Sequence, residues 1–396
     1  MKFVLPGLLL LLALRLPAQP ADSLVAQGYD HFYNLEFDQA IADFEKAIAL
    51  EPNSPDFHNH LAHAIVFKEM YRDGALESEL VSGNNSFLRR PKLNPSPETE
   101  KRFLDEVGKA MQLAQARLAK NPNDTGALYS LGISYGLRSD YYWVVKKSWR
   151  DSLRDATAAR RAHNRIEELD PKNVDARLVE GLHDYILGSL PWTYRMLGFL
   201  VGIHGDKAEG IRIVQDVARN GNDNKVDAEI FLCALYRREN QARKAVPLVN
   251  DLIGRFPRNY LLRLELSQMY SMSNDKTDAL RAVEEAAQLK EHHAPGYDRM
   301  PWEKVYFQEG TIEFWYNDLN DALENMKKVA AASASDEVDL NTGDFAYLRM
   351  GQIYDMTHRR QLALEAYRKA IAYAPQAEAA QESRKYLSTP YRRGGS

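Results

Sequence analysis

The sequence predicts an all-α fold, a solenoid of about eight helical hairpins with three insertions on one edge. Three observations lead there. A small residue set among large apolar ones recurs at helical spacing: Leu131, Gly132 and Tyr135; Leu232, Cys233 and Tyr236; Met350, Gly351 and Tyr354. An alanine and a bulky residue follow in a second helical run, which a proline ends, as in Ala40, Phe44 and Pro52 or Ala363, Tyr367 and Pro375. The register also repeats at a fixed period, with Ser267 standing 34 residues after Cys233. Small residues let two antiparallel helices approach closely, and large ones fill the space between neighbouring pairs. A chain of 396 residues would suggest two or three domains by length alone. Repetition replaces that expectation with one continuous stack.

The first segment, "MKFVLPGLLLLLALRLPAQPADS", places Lys2 before a leucine-rich run and ends in small residues and prolines. It reads as a secretory signal peptide over residues 1–21, with cleavage after Ala18 or Ala21. Arg15 makes the run short for an uncleaved anchor. Loss of Lys2 and Arg15 leaves 49 basic against 55 acidic residues, a balance with no global attraction to nucleic acid. The only cysteine is Cys233, so no internal disulfide can form and stability must come from packing. Export to a bacterial periplasm is the expected location. Charged residues make up 27% and apolar ones 45%, the composition of an ordinary soluble protein.

From residue 22 to 375 the units follow in order. Gly28, Ala40, Phe44, Ala47 and Pro52 form the first, and weaker units begin near Pro55 and Val174. Leu131, Gly132 and Tyr135 belong to the third. Cys233, Tyr236, Ala245 and Pro257 mark the fifth, Ser267, Tyr270 and Ala279 the sixth, Gly310, Ala322 and Met326 the seventh. The last is "YLRMGQIYDMTHRRQLALEAYRKAIAYAPQ", and residues 376–396 supply a capping helix and tail. This pattern resembles the tetratricopeptide repeat, W-x2-L-G-x2-Y, then A-x3-F, then P, over 34 residues. The resemblance implies a right-handed α-solenoid whose first helices line a concave face. In this register Cys233 is a small packing residue.

Three consecutive units exceed the regular length, by 36 residues between Pro55 and Pro122, 15 between Thr125 and Pro171, and 18 between Val174 and Val226. The additions fall near 71–100, 138–155 and 187–206, before the second helix of each pair, so they are expected on one edge. The first is locally basic at Arg89, Arg90 and Lys92. The second carries Tyr142, Trp143, Lys146, Lys147 and Trp149, and the third Trp192 and Arg195. The third, "LGSLPWTYRMLGFLVGIHGD", is apolar, but Pro191, Arg195, His204 and Asp206 argue against a membrane span. It reads as a short extra helix, either packed on neighbouring inserts or exposed for docking. Its Gly188, Ser189, Leu190, Pro191, Gly202, Gly205, Asp206 and Gly210 resemble a segment of the inclusion-body-clearance repeat family.

No nucleotide, hydrolase, zinc-protease or calcium-loop motif is present. His60 and His63 share a helix face, but His58 points away and no carboxylate completes a metal set, so no metal and no cofactor are expected. The inward positions read Tyr29, Tyr33, Tyr129, Tyr185, Arg237, Arg238, Phe314 and Trp315, an aromatic groove suited to a protein or peptide partner. The carboxylate clamp of one repeat subfamily is absent, since Val25 and Tyr29 stand at its first positions. Some of these aromatics are expected to pack between helices, and Arg237 and Arg238 to act as polar anchors. The function that follows is a non-enzymatic exported scaffold. The alternative is a peripheral membrane protein docking through the aromatic and basic insert edge. Partner identity and oligomeric state are left open.

Overall fold

The computed structural model describes residues 20–72, 74, 76, 94–190, 205–332 and 340–394. Residues 1–19 of the predicted leader, 77–93 of the first insertion and 191–204 of the third, with Trp192 and Arg195, lie outside the described residues. Among the described residues, eight hairpins follow one another. They pair α1 (Pro20–Tyr33) with α2 (Phe37–Leu50), α3 (Pro55–Arg72) with α4 (Pro97–Lys120), α5 (Thr125–Tyr141) with α6 (Trp149–Leu169), and α7 (Leu178–Gly188) with α8 (Lys207–Asn220). The second half pairs α9 (Lys225–Arg238) with α10 (Val246–Arg255), α11 (Tyr260–Met272) with α12 (Lys276–Glu291), α13 (Trp302–Trp315) with α14 (Leu319–Ala332), and α15 (Leu340–Met356) with α16 (Arg360–Tyr373). A last helix, α17 (Glu378–Ser388), covers the end of the stack. The described residues contain no strand.

Local chemistry explains the helix ends. Ser96 accepts from the Thr99 amide at 3.1 Å with Pro97 at the first helical position, and Asp124 accepts from Ala127 at 3.0 Å. Asp206, Asn259 and Asp275 cap α8, α11 and α12 in the same way. Within a pair, the small residue of the first helix faces the bulky residue of the second. A Cβ on Gly28 would stand 2.5 Å from the Phe44 ring, and one on Gly132 would stand 2.6 Å from the His163 ring. Gly351 meets Tyr367 in the same relation. The period is therefore a packing rule, one side chain removed so that another fits.

The turns repeat with equal regularity. Seven residues after the small position the backbone enters the left-handed region: Leu35 after Gly28, Asn240 after Cys233, Asn274 after Ser267, Asn317 after Gly310 and His358 after Gly351. In the third hairpin the left-handed residue is Lys147, fifteen after Gly132. The predicted second insertion is thus spent on helix: α5 runs on through a π-helical turn over Tyr142–Lys146, and α6 is 21 residues long.

The stack also curves back on itself. The turn between α1 and α2 meets the loops that precede α11 and α13. Arg258 donates to Glu36 at 3.0 and 3.1 Å and to Asp30 at 2.6 Å, and its amide donates to Asn34 Oδ1 at 2.9 Å. Asn259 donates to the Tyr33 carbonyl at 2.8 Å, and Arg299 donates to the carbonyls of Leu35 and Asn34 at 2.5 and 3.0 Å. Those carbonyls end α1, where a cation is favoured by the helix dipole. Burial acts upward on the Glu36 carboxyl, but the bonds from Arg258 and His31 hold it below the usual range. Phe32, Leu35 and Phe37 share one apolar cluster with Tyr260, Leu264, Tyr297 and Met300. Hairpin 1 is therefore joined to hairpins 6 and 7 by core as well as by ion pairs.

Candidate functional site

The row that organises the inner edge is the residue five positions after each small residue, toward the end of the first helix. Through the stack it reads Tyr33, Phe67, Leu137, Ile186, Arg238, Met272, Trp315 and Met356. In hairpins 1 to 3 this row is covered. The Tyr33 hydroxyl donates to Asp227 on α9 at 2.9 Å, and its ring lies 4.9 Å from Phe256. Phe67 packs on His63 and Phe32, and Leu137 is buried. In hairpins 4 to 7 the same row is open: Ile186 is 58% exposed, Met272 45% and Trp315 52%, with Arg238 exposed between them.

Contacts beside the open row join each hairpin to the next. Tyr185 donates to Glu239 at 2.9 Å and lies under the Arg238 guanidinium at 5.7 Å, tying hairpin 4 to hairpin 5. Arg237 pairs with Glu265 at 3.3 Å, tying hairpin 5 to hairpin 6. Tyr316 donates to the Ser271 carbonyl at 3.1 Å, bringing the end of α13 beside the end of α11. Trp315 lies between two guanidinium groups, Arg349 at 5.0 Å and Arg393 of the tail at 5.9 Å. Arg393 also donates to the Phe314 carbonyl, which seats the tail on the end of α13.

The covered half encloses a polar, aromatic interior. Tyr29 and Tyr33 stack at 5.8 Å, the Tyr29 hydroxyl lies 2.6 Å from His60 Nδ1, and Tyr129 donates to Asn224 at 2.8 Å. Burial raises the Tyr29 and Tyr33 hydroxyls well above their ordinary range, and Asp227 adds to both. It pushes His60 down to about 4 and His63 to about 3, so both are neutral near pH 7. Asp227 is pushed up to about 6 and Asp140 to about 7, again by burial. Yet Tyr29, Tyr33, His60, His63 and Asp227 each keep part of their surface open and Asp140 keeps more than a third.

The structure thus distributes the predicted groove residues. Tyr29, Tyr33 and Tyr129 come together in the closed interior. Tyr185, Arg237 and Phe314 are buried between helices, because their positions face the next hairpin instead of the groove. Arg238 and Trp315 stand on the open row. Along the second insertion, Tyr142 is half-buried with Arg154 over its ring at 5.8 Å, Trp143 and Lys147 are half-buried, and Lys146 pairs with Glu100. Trp149 is largely exposed, and Lys146 is exposed as well. Cys233 is buried, and burial pushes its thiol up, which suits a packing role. His58 bonds Glu106 at 2.6 Å, away from His60 and His63. No group of three metal-ligating side chains occurs among the described residues.

Sequence reasoning missed Asp227, Arg258 and Arg299, whose partners lie 194 to 265 residues away, and it missed Ile186 and Met272. The last two had a signal, since they occupy the same repeat position as Arg238 and Trp315.

Residues 28–66 match the family model of the TPR repeat. No curated protein matches the sequence. Similar solved structures include yeast Tom70, at 13% identity over 92% of this chain and 95% of that one with a TM-score of 0.40. Another is the human IFIT1 dimer with m7Gppp-AAAA, at 14% identity over 94% and 83% with a TM-score of 0.45. A third is a tetratricopeptide repeat protein from Parabacteroides merdae, at 13% identity over 82% and 98% with a TM-score of 0.33. Those scores are too low to carry any function across. The segment likened to the inclusion-body-clearance family falls mostly within 191–204 and gains no support from these matches. With the repeat model on hairpin 1 and the first helix of hairpin 2, and the same register kept through hairpin 8, the chain has the fold of a tetratricopeptide-repeat solenoid, a scaffold suited to protein interaction.

Proposed function

We propose that this protein is an exported adaptor that binds a segment of a partner protein along the open inner edge of hairpins 4 to 7. The observation that carries the reading is the row at one repeat position, covered in hairpins 1 to 3 and exposed as Ile186, Arg238, Met272 and Trp315 in hairpins 4 to 7. Large side chains left open at successive equivalent positions make a line of anchor points. The self-closed N-terminal half gives that line a rigid base, so little ordering entropy is lost when a partner docks. Export rests on the leader-like N-terminus. No catalytic role is proposed, in keeping with a repeat that is generally non-catalytic.

The test is site-specific photocrosslinking in the cells that make the protein, with a photoreactive residue at Met272 and, as control, at Arg281 on the outer helix α12. A protein captured from Met272 and not from Arg281, in the fraction outside the cytoplasm, is the expected result. The same species from both positions, or none from Met272, refutes the reading.

A second reading has one observation in its favour. Trp149 and Leu153, one helical turn apart on α6, are both exposed, and Arg150 lies over the Trp149 ring at 5.4 Å. An apolar pair beside basic residues is the chemistry of an interfacial membrane contact. No described helix is long and apolar enough to cross a membrane.

A further inference from the structure

Resting on the interfacial reading of the insert edge, we infer that the outer face of α6 is a docking surface for a membrane of anionic phospholipid. Trp149 and Leu153, both exposed, enter the headgroup boundary, and Arg150 and Arg161 meet the lipid phosphates. The surface uses none of the residues of the open row.

The repeat itself does not call for this part of α6. A second helix begins seven residues before its large packing residue, Phe37 before Phe44 and Arg360 before Tyr367. The helix α6 begins fourteen before His163, so it carries two further turns, and these hold Trp149, Arg150, Leu153 and Arg154. Their inner side is fastened to the extended end of α5: Ser139 donates to the Ser152 carbonyl at 2.9 Å, and Arg138 to Asp155 at 2.5 Å. Packing therefore accounts for the buried side of the overhang and leaves its exposed side without a role in the hairpin. An apolar pair held in water is unfavourable, and burial at an interface recovers that free energy.

The charge of the face selects the occupant. At about 100° per residue, Trp149 and Leu153 fall on one side of the exposed arc and Arg150, Arg154, Arg161 and Arg165 on the other, a stripe about 24 Å long. No carboxylate is exposed on α6 before Glu168. Those that α6 carries are answered from within the protein: Asp151 and Asp155 pair with Arg154 at 2.9 and 3.0 Å, Glu168 with Arg165 at 2.6 Å, and Glu167 with Arg177 at 3.6 Å. From other elements, Glu100 pairs with Lys146 and Asp184 with Arg160 at 3.9 Å. Arg150 and Arg161 form no ion pair among the described residues, and Arg150 lies over the Trp149 ring. Two uncommitted guanidinium groups beside two exposed apolar side chains suit a surface that offers phosphate and hydrocarbon together, as a phospholipid headgroup layer does. The chain as a whole is acidic, so its net charge gives no such attraction and this face must supply it.

The experiment floats the full mature chain with vesicles of phosphatidylcholine alone and of equal parts phosphatidylcholine and phosphatidylglycerol. Binding to the mixed vesicles is expected to be at least about tenfold tighter than to the neutral ones, and to weaken as salt is raised. Arg150→Glu with Arg161→Glu removes no ion pair and should leave the stack intact, which circular dichroism checks. Each basic residue at an anionic surface strengthens binding about fivefold, so the double reversal is expected to abolish the preference for phosphatidylglycerol. Trp149→Ala with Leu153→Ala is expected to weaken binding to the mixed vesicles by about tenfold or more. Equal binding to both vesicles, lost in the Trp149→Ala, Leu153→Ala variant, overturns the anionic chemistry and leaves the interfacial reading standing. No binding to either sinks both. Phosphatidylglycerol binding unchanged by the arginine variant also overturns the inference, since it gives the lipid to another face. So does arginine-dependent binding to heparin without vesicle binding, which gives the stripe to a soluble polyanion.

Discussion

Replacing His163 with phenylalanine is expected to stabilise the third hairpin, and more so in mild acid. His163 occupies the position that Phe44 holds in the first hairpin and Tyr367 in the last, facing the glycine of its own pair. It is 1% exposed and neither ring nitrogen has a hydrogen-bond partner. A buried donor left unpaired costs about 1–3 kcal/mol, and phenylalanine removes it while keeping the ring that packs edge-on against Tyr129 at 5.4 Å. Burial also pushes the imidazole from 6.5 down to about 4. Between those values the unfolded chain takes up a proton that the folded one refuses, so stability falls as pH drops, by up to about 1.4 kcal/mol per unit. At pH 5 this adds about 2 kcal/mol to the advantage of His163→Phe. Native-state hydrogen exchange of α5 and α6 amides is the assay of choice, because a repeat array need not unfold as one unit. Protection should rise about five- to thirtyfold near neutrality and further at pH 5. Unchanged protection, or a pH dependence that keeps its full slope in the variant, would refute the reasoning.

Other expectations follow from the closure and the leader. Arg258→Ala with Arg299→Ala strips the polar clasp from the α1–α2 turn, and exchange in α1 and α2 should rise by tenfold or more while α13 to α16 stay protected; uniform change across the chain would contradict a local clasp. Asp227→Asn keeps an acceptor for Tyr33 and removes a carboxylate held near 6 by burial. Because that pKa is raised, the wild type loses stability as pH rises from about 4 to 6, so the variant should gain about 1–2 kcal/mol above pH 6 and little below 4, read from the first urea transition. Of the two predicted cleavage sites, that after Ala18 spares the first turn of α1. Ala21 is buried against Ala47 and Phe57, so cleavage there would discard a core contact. Under the proposed export, N-terminal sequencing of the mature protein should begin at Gln19, and a start at Asp22 would overturn this.

The sequence made the hairpins legible because the repeat is a local steric rule. A missing side chain at Gly28 or Gly351 and a large one sixteen residues later can be read without knowing the rest of the chain. The left-handed turn at Asn240, Asn274 and Asn317 was equally local, since asparagine tolerates that conformation. What could not be read was any contact made by the curvature of the whole stack. Tyr33 looks like a groove residue from its position, and only the approach of α9 turns it into a half-buried partner of Asp227. Arg258 and Arg299 sit in ordinary loops with no periodicity to mark them. The histidines of "HNHLAHA" carry no sign of their neighbours in the sequence, where His60 meets Tyr29 and His63 lies among Phe32 and Phe67.

The contrast between the two halves bears on how such a scaffold specialises. A regular solenoid offers the same inner position many times, and each copy can serve the fold or a partner. Here the copies in hairpins 1 to 3 are tyrosine, phenylalanine and leucine: Tyr33 closes the curve against Asp227 and Phe256, Phe67 packs on Phe32 and His63, and Leu137 is buried. The copies in hairpins 4 to 7 are isoleucine, arginine, methionine and tryptophan, left open and braced from behind by Tyr185, Glu265, Tyr316 and Arg393. Bracing matters because an exposed tryptophan or arginine loses rotamer freedom on binding, about 0.5–1.5 kcal/mol for each side chain immobilised. Side chains already held by ring and guanidinium contacts have less of that freedom to lose. The closed half and the open half are therefore one arrangement: the contacts that bury Tyr33 fix the curvature on which the spacing of Arg238, Met272 and Trp315 depends. Opening the clasp should then weaken capture at Met272 even though no clasp residue touches the row. Undiminished capture in the Arg258→Ala, Arg299→Ala variant would show that the two halves work independently.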